Sequence, residues 1–140
     1  MKLTIDSSIF VEAVVKGTHG SLCYDLLITA YKKKLVEIIE PSLLFFEFTN
    51  AVTRSAPETN TRKDKQLRID NSLKICDAFE NRENTHYYSL DNDFWKVWRG
   101  HIKQKPELVA HKTQDELFLI VAYLANSTLV TLDTTLLRIE

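Results

Sequence analysis

Four acidic residues lie beside or within strongly apolar segments of this sequence: Asp6, Glu47, Asp115 and Asp133. Two of these segments, residues 2–5 and 128–132, have the β-branched and apolar composition of strands in a parallel sheet. A carboxylate in apolar surroundings is rarely left without compensation. Because the carboxyl ends of parallel strands meet at one edge of a sheet, we expect the four acids to form one cluster at that edge.

A cluster of carboxylates is unfavourable by itself, because each charge raises the pKa of its neighbours. A divalent cation relieves this repulsion, and ligands that offer only oxygen atoms favour Mg2+ or Mn2+ over Zn2+ or Cu2+. Such a site can activate a water molecule and bind the oxygens of a phosphodiester. Four polar residues near the acids are predicted to hold water or to orient the carboxylates: Ser7, Ser8, Asn50 and Thr131.

The order of predicted elements indicates an α/β domain in which helices connect parallel strands through right-handed crossovers. Strands are predicted at residues 2–5, 35–39, 86–90 and 128–132, with a short last strand at 137–139 if the sheet has a fifth member. Helices are predicted at residues 8–16, 20–34, 41–54, 63–79, 92–103 and 113–125. Thr113 and Glu116 have the spacing of a capping box. Leu67, Leu73, Cys76 and Phe79 are predicted to face the core from the fourth helix.

The 140 residues suffice for one domain, spanning residues 1–140. A net charge of -1 argues against a protein that binds nucleic acid with its whole surface. Cys23 and Cys76 lie far apart, without metal-ligand spacing, and are predicted to be reduced core thiols of a cytoplasmic protein. No secretory signal is expected, and the longest apolar run, residues 117–125, is too short to span a bilayer.

A polar segment at residues 55–61 contains several turn-forming residues and is expected to act as a flexible flap. The basic residues around it predict a rim that receives a phosphate backbone: Arg54, Arg62, Lys63, Lys65 and Arg68. The alternative is that these side chains belong to solvated helix faces and a charged loop and bind no ligand.

The sequence resembles PIN domains, and among them the compact VapC-type toxins of toxin–antitoxin pairs. The resemblance lies in Asp6 followed by two serines, the helical Glu47-Phe48-Thr49-Asn50, Asp115 heading an apolar helix, and Thr131-Leu132-Asp133 after a strand. It implies a three-layer α/β/α fold with a central parallel sheet of four to five strands. It also implies a ribonuclease site in which the four acids bind Mg2+ or Mn2+ and RNA is hydrolysed.

The same resemblance implies two protein partners. One is a small antitoxin covering the site, whose contact surface is predicted around Phe10, Val14 and Val15 and at residues 55–65; the other is a second copy of the chain, forming a homodimer. Two alternatives are a PIN-like module that binds RNA or protein without cleavage and a housekeeping nuclease of the same fold. A receiver-like signalling domain is disfavoured, because serines rather than acids follow Asp6 and no lysine follows residues 128–132.

Overall fold

The structure, a computed structural model, describes residues 1–104, 106 and 113–134, and the side chains of residues 113–115 lie outside that description. The strand expected at 137–139 also lies outside the described residues. The elements are, in chain order, β1 (Lys2–Ile5), α1 (Ser7–Val15), α2 (Gly20–Lys32), β2 (Glu37–Pro41), α3 (Leu44–Arg54), α4 (Arg62–Phe79), β3 (Thr85–Tyr88), α5 (Asn92–Gln104), α6 (Thr113–Ala125) and β4 (Thr128–Val130).

The four described strands form one sheet in the order β3-β2-β1-β4, and every neighbouring pair is parallel. The chain passes from β1 to β2 and β3 on one side and reaches β4 on the other side of β1. The strand order therefore reverses at β1. In open parallel sheets, the carboxyl edge beside such a reversal is where ligands bind.

Helices cover both faces of this sheet. Ile38 of β2 packs into the larger core cluster, to which α1, α2, α3, α4 and Phe118 of α6 contribute, whereas the adjacent Ile39 packs against the smaller cluster of α5 and α6. Because successive strand side chains point to opposite faces, these two isoleucines show that both sides of the sheet are covered. The predicted three-layer α/β/α fold with a parallel sheet is confirmed.

Phe10 of α1 lies at the centre of the larger cluster and is fully buried. Its ring centroid lies between 5.7 and 6.2 Å from those of Tyr31, Phe45, Phe48 and Phe79. The prediction that Phe10 forms part of a partner surface is wrong, because α1 packs against both α2 and α3 and its apolar side is covered. Val14 and Val15 are half-buried against the same cluster.

Local capping signals account for two helix starts. The Thr61 hydroxyl accepts a hydrogen bond from the Asp64 N–H at 3.2 Å, and the Thr61 N–H donates to the Asp64 carboxylate at 2.9 Å, which completes a capping box for α4. The Asp91 carboxylate accepts from the N–H groups of Asp93 and Phe94 and so caps the start of α5.

Two side chains of α4 differ from expectation. Cys76 and Phe79 are buried as predicted, but Leu67 and Leu73 are 58% and 49% exposed. The helix contacts the body mainly through α3, so only one narrow side is covered, on which Ser72 is also buried. Leu73 follows Ser72 by about 100° around the helix and therefore faces outward. Cys23 and Cys76 are both buried and free, as predicted.

Asn84 joins the opposite, amino edge of the sheet to α2. Its side-chain amide donates to the carbonyl oxygens of Ala30 at 3.2 Å and Val36 at 2.9 Å, and its backbone carbonyl accepts from the Ile38 N–H at 2.8 Å. The bond to Ala30 satisfies a carbonyl in the last turn of α2, where carbonyls lack a partner within the helix, and the bond to Val36 holds the segment that leads into β2. Within the described residues, no helix has both the length and the apolar character needed to cross a bilayer.

Candidate active site

Asp6 occupies the point where strand order reverses. It lies between β1 and α1, at the carboxyl edge of the sheet, and is 2% exposed. Its backbone N–H donates to the Val130 carbonyl of β4 at 2.9 Å, and its carbonyl accepts from the Ile9 N–H of α1 at 3.1 Å. The backbone on both sides of this acid is therefore held by neighbouring elements.

Two hydroxyl groups fix the orientation of the Asp6 carboxylate. Ser8 Oγ donates to Asp6 Oδ2 at 2.7 Å, and Thr131 Oγ1 donates to the same oxygen at 2.6 Å. Each hydroxyl also accepts from a backbone N–H, Ser8 from Leu132 at 3.2 Å and Thr131 from Asp133 at 2.9 Å. The direction of these bonds is thus defined, and they lock the segment 131–133 onto Asp6.

The second carboxylate oxygen of Asp6 has a weaker contact. Ser7 Oγ lies 3.4 Å from Oδ1, which is long for a hydrogen bond between a hydroxyl and a carboxylate. Oδ1 is therefore the oxygen with capacity for a further ligand. Three of the four polar residues predicted beside the acids contact Asp6, while Asn50 is exposed in α3, three residues after Glu47.

Glu47 lies in the first turn of α3, is 7% exposed, and lines a cavity of about 370 Å³ between α3, α5 and α6. Glu116 of α6 is 3% exposed and lines the same cavity, together with Ile120 one turn later. The sequence assigned Glu116 only to a capping box. Its spacing of four residues from Ile120 is the signal that both side chains share one helix face.

Hydrogen bonds bring the segment of Asp133 to Asp6, and Glu47 and Glu116 line one cavity. Asp115 lies in the first turn of α6, and its side chain is outside the described residues. Among the His, Cys, Asp and Glu side chains that are described, no three lie close enough to form a metal site. Mg2+ keeps several waters and is usually held by one or two carboxylates, so the oxygen-only surroundings of Asp6 fit this ion. The assignment of the four acids as ligands stays a prediction.

Glu40 of β2 is an acid that the sequence reasoning missed. It is fully buried, and its Oε1 accepts a hydrogen bond from the Ile5 N–H at 2.9 Å. Within the described part of the chain, its Oε2 has no hydrogen-bond partner. Burial raises the pKa of Glu40 well above its ordinary value of 4.5; the Ile5 N–H opposes this effect, and the nearby Asp6 charge adds to it.

The raised pKa makes stability depend on pH. Unfolded Glu40 ionises near 4.5 while the folded group stays protonated, so its contribution is complete below that pH and is lost as pH rises towards the folded pKa. Glu40→Gln keeps the acceptor and cannot ionise. Above pH 4.5, we expect the free energy of unfolding of Glu40→Gln, relative to that of the wild type, to rise by up to about 1.4 kcal/mol per pH unit. Urea unfolding at several pH values measures the difference, and parallel pH curves for the two proteins would contradict it.

The predicted basic rim lies at the junction of α3 and α4. Arg54, Arg62, Lys63 and Lys65 are exposed. Arg68 is half-buried, and its guanidinium donates to Ser55 Oγ at 3.3 Å and contacts the Val52 carbonyl at 3.5 Å. It therefore has a structural role in joining α4 to the end of α3, and binding of RNA by this rim stays a prediction.

Comparison with known proteins finds similarity of fold to a solved structure. No protein-family model and no curated protein sequence matches the chain. It is similar to a crystal structure of VapBC2 from Rickettsia felis bound to a DNA fragment from their promoter, with a TM-score of 0.64 and 20% identity over 99% of this chain and 93% of the other. At this identity the likeness is one of fold, and the chain therefore has the fold of a VapBC2 chain, which confirms the PIN-like fold predicted from the acidic motifs.

Proposed function

We propose that this protein is a Mg2+- or Mn2+-dependent ribonuclease and the toxin of a type II toxin–antitoxin pair. The observation that carries the proposal is the buried Asp6 at the reversal of strand order, held by two oriented hydroxyls, in a chain whose whole length has the VapBC2 fold. A buried acid in which one oxygen accepts two hydrogen bonds and the other has a weaker contact, with Ser7 at 3.4 Å, is suited to ligate a cation.

In this proposal, Asp6 binds the cation through Oδ1 while Ser8 and Thr131 hold Oδ2. Bound Mg2+ or Mn2+ supplies a water of lowered pKa and stabilises negative charge on the phosphate. Asp133 and Glu47 orient water molecules around the ion. Glu116 is buried in the wall of the cavity that Glu47 also lines. The acid that α6 contributes to the site is therefore either Asp115 or Glu116.

Metal-dependent cleavage of RNA by the purified chain tests the activity. We expect single-stranded RNA to be cut in Mg2+ or Mn2+, with water attacking phosphorus and the 3′ oxygen leaving, which gives the 3′-hydroxyl and 5′-phosphate ends that the resemblance to PIN domains implies. EDTA should stop cleavage and an excess of Mn2+ should restore it. Cleavage that persists in EDTA would contradict the mechanism, and an inactive protein in every metal would favour a binding module.

A partner surface adjoins the cavity. Phe46 is 70% exposed, and Leu43 and Trp95 are about half exposed beside it, which gives an apolar groove between α3 and α5. The described residues that line it include Glu47, Asp91 and Glu116, and none of them is basic. Exposed apolar patches of this kind mark interaction sites. We propose that an antitoxin segment with apolar side chains and an Arg or Lys binds here, in place of the surface first predicted at Phe10.

Coexpression with the product of the neighbouring gene tests this partner. We expect toxicity of the chain alone, relief by the partner, and a complex whose dissociation constant rises at least about 30-fold on Phe46→Ser, as for other central apolar contacts. Leu22→Ser is the matched control, because Leu22 is 67% exposed but lies on α2. Equal weakening by both substitutions would place the partner elsewhere. Light scattering on the isolated chain tests the homodimer.

A further inference from the structure

In the hydrogen-bond ladder between β1 and β2, side chains replace backbone groups immediately before Asp6. The backbone register pairs Lys2 with Glu37 and Leu3 with Ile38. Continued by two residues, the same register places Ile5 opposite Glu40. At that position the Ile5 N–H donates to the Glu40 side chain, at 2.9 Å, instead of to a backbone carbonyl of β2.

A second side chain replaces a ladder bond one residue earlier. Thr4 Oγ1 donates to the Ile39 carbonyl at 2.8 Å, and both Thr4 and Glu40 are fully buried. Side chains reach further than backbone groups, so the end of β1 can diverge from β2 and still be hydrogen-bonded. On its other side the next residue, Asp6, is bonded through its N–H to Val130 of β4. The backbone that carries Asp6 is thus held between Glu40 and β4.

We propose that Glu40 is a positioning residue for Asp6, whose buried carboxyl group holds the Ile5 N–H and so fixes the Asp6 carboxylate for binding a divalent cation. This inference rests on the proposed function, because it assumes that Asp6 is a metal ligand. Glu40 itself is not required to touch the cation.

The chemistry of Glu40 suits this role. A single carboxyl oxygen provides the acceptor that Ile5 requires, and burial raises the pKa of Glu40 well above its ordinary value, which disfavours a second charge beside Asp6. Glutamine provides the same acceptor at the same reach, whereas methionine has nearly the same length and only a weak sulfur acceptor. Comparison of Glu40→Gln with Glu40→Met therefore distinguishes the effect of losing the hydrogen-bond acceptor from the effect of changing the side-chain shape.

Mn2+ affinity of the full-length chain, measured by calorimetry or electron paramagnetic resonance, is the main readout. We expect Glu40→Gln to bind within about twofold of the wild type and Glu40→Met to bind about 10-fold or more weakly, as for other groups that orient a metal ligand. Asn84→Ala is the destabilised control, because it loses partly buried hydrogen bonds at the opposite edge of the sheet. Its affinity for Mn2+ should not change.

Amide hydrogen exchange provides a readout that needs no metal. Glu40→Met should accelerate exchange at Ile5 and Asp6, while Asn84→Ala should accelerate it around the end of α2. Wild-type affinity in Glu40→Met, or equal losses in the Gln and Met variants, would overturn the inference and leave the proposed function standing. Absence of Mn2+ binding by the wild-type chain would overturn the proposed function, and the inference with it.

Discussion

Asp6→Asn is expected to reduce metal-dependent RNA cleavage by at least about 100-fold, more than the usual loss on removing a group that only orients a ligand. The hydrogen bonds explain why asparagine cannot substitute. Ser8 and Thr131 both donate to Oδ2, so the amide must place its oxygen there and its NH2 group at the position of Oδ1. The atom that should ligate the cation then becomes a donor, with no lone pair to offer.

The measurement is cleavage of a labelled RNA over a Mn2+ titration, together with thermal unfolding of each variant. Asp77→Asn removes the same charge from an exposed position on α4 and should leave cleavage unchanged. Asp115→Asn and Glu116→Gln, compared in the same assay, identify which acid of α6 contributes. Activity of Asp6→Asn near that of Asp77→Asn, at equal stability, would exclude Asp6 from the reaction.

Phe10→Ala is expected to lower the free energy of unfolding by about 3–5 kcal/mol, the usual cost of removing a buried phenyl ring. The ring contacts four other aromatic rings from α2, α3 and α4, so its loss leaves a cavity bounded by three elements that cannot all close in. Since whole domains have only about 5–15 kcal/mol of stability, this one change removes a large part of it.

Urea unfolding measures the loss, with Leu22→Ala as control because that side chain is mostly exposed on α2. The control should stay within about 0.5 kcal/mol of the wild type. If Phe10→Ala fails to fold, Phe10→Leu gives a smaller cavity and a measurable transition. A loss for Phe10→Leu no larger than that of Leu22→Ala would contradict the central position of this ring.

Local patterns in the chain predicted most of the elements. Apolar periodicity located the six helices and four strands within a few residues, and the acid that follows the first strand was expected at the carboxyl edge of a parallel sheet, where Asp6 lies. Both depend on neighbours in sequence: periodicity reports which residues share a face, and strand direction defines the edge at which a following residue emerges.

Burial was predicted less well where it depends on a second element. Phe10, Leu67 and Leu73 all lie on apolar stripes of helices, but α1 is covered on two sides and α4 on one. A sequence shows that a stripe exists and not how many elements pack against it. For the same reason, only the structure shows that exposed apolar surface lies in the groove between α3 and α5.

Glu40 shows how the two sources divide. The acidic motifs and the α/β fold were evident from the sequence, whereas Glu40 lies one residue beyond the strand predicted at 35–39 and was missed, although alternation along β2 places it on the same face as Ile38. Only the tertiary structure decided that β1 and β2 lie side by side in a register that sets Glu40 against Ile5, and that β4 brings Thr131 to Asp6. The physical reason is that pairing between strands distant in sequence arises from packing of the whole core, which no local pattern encodes.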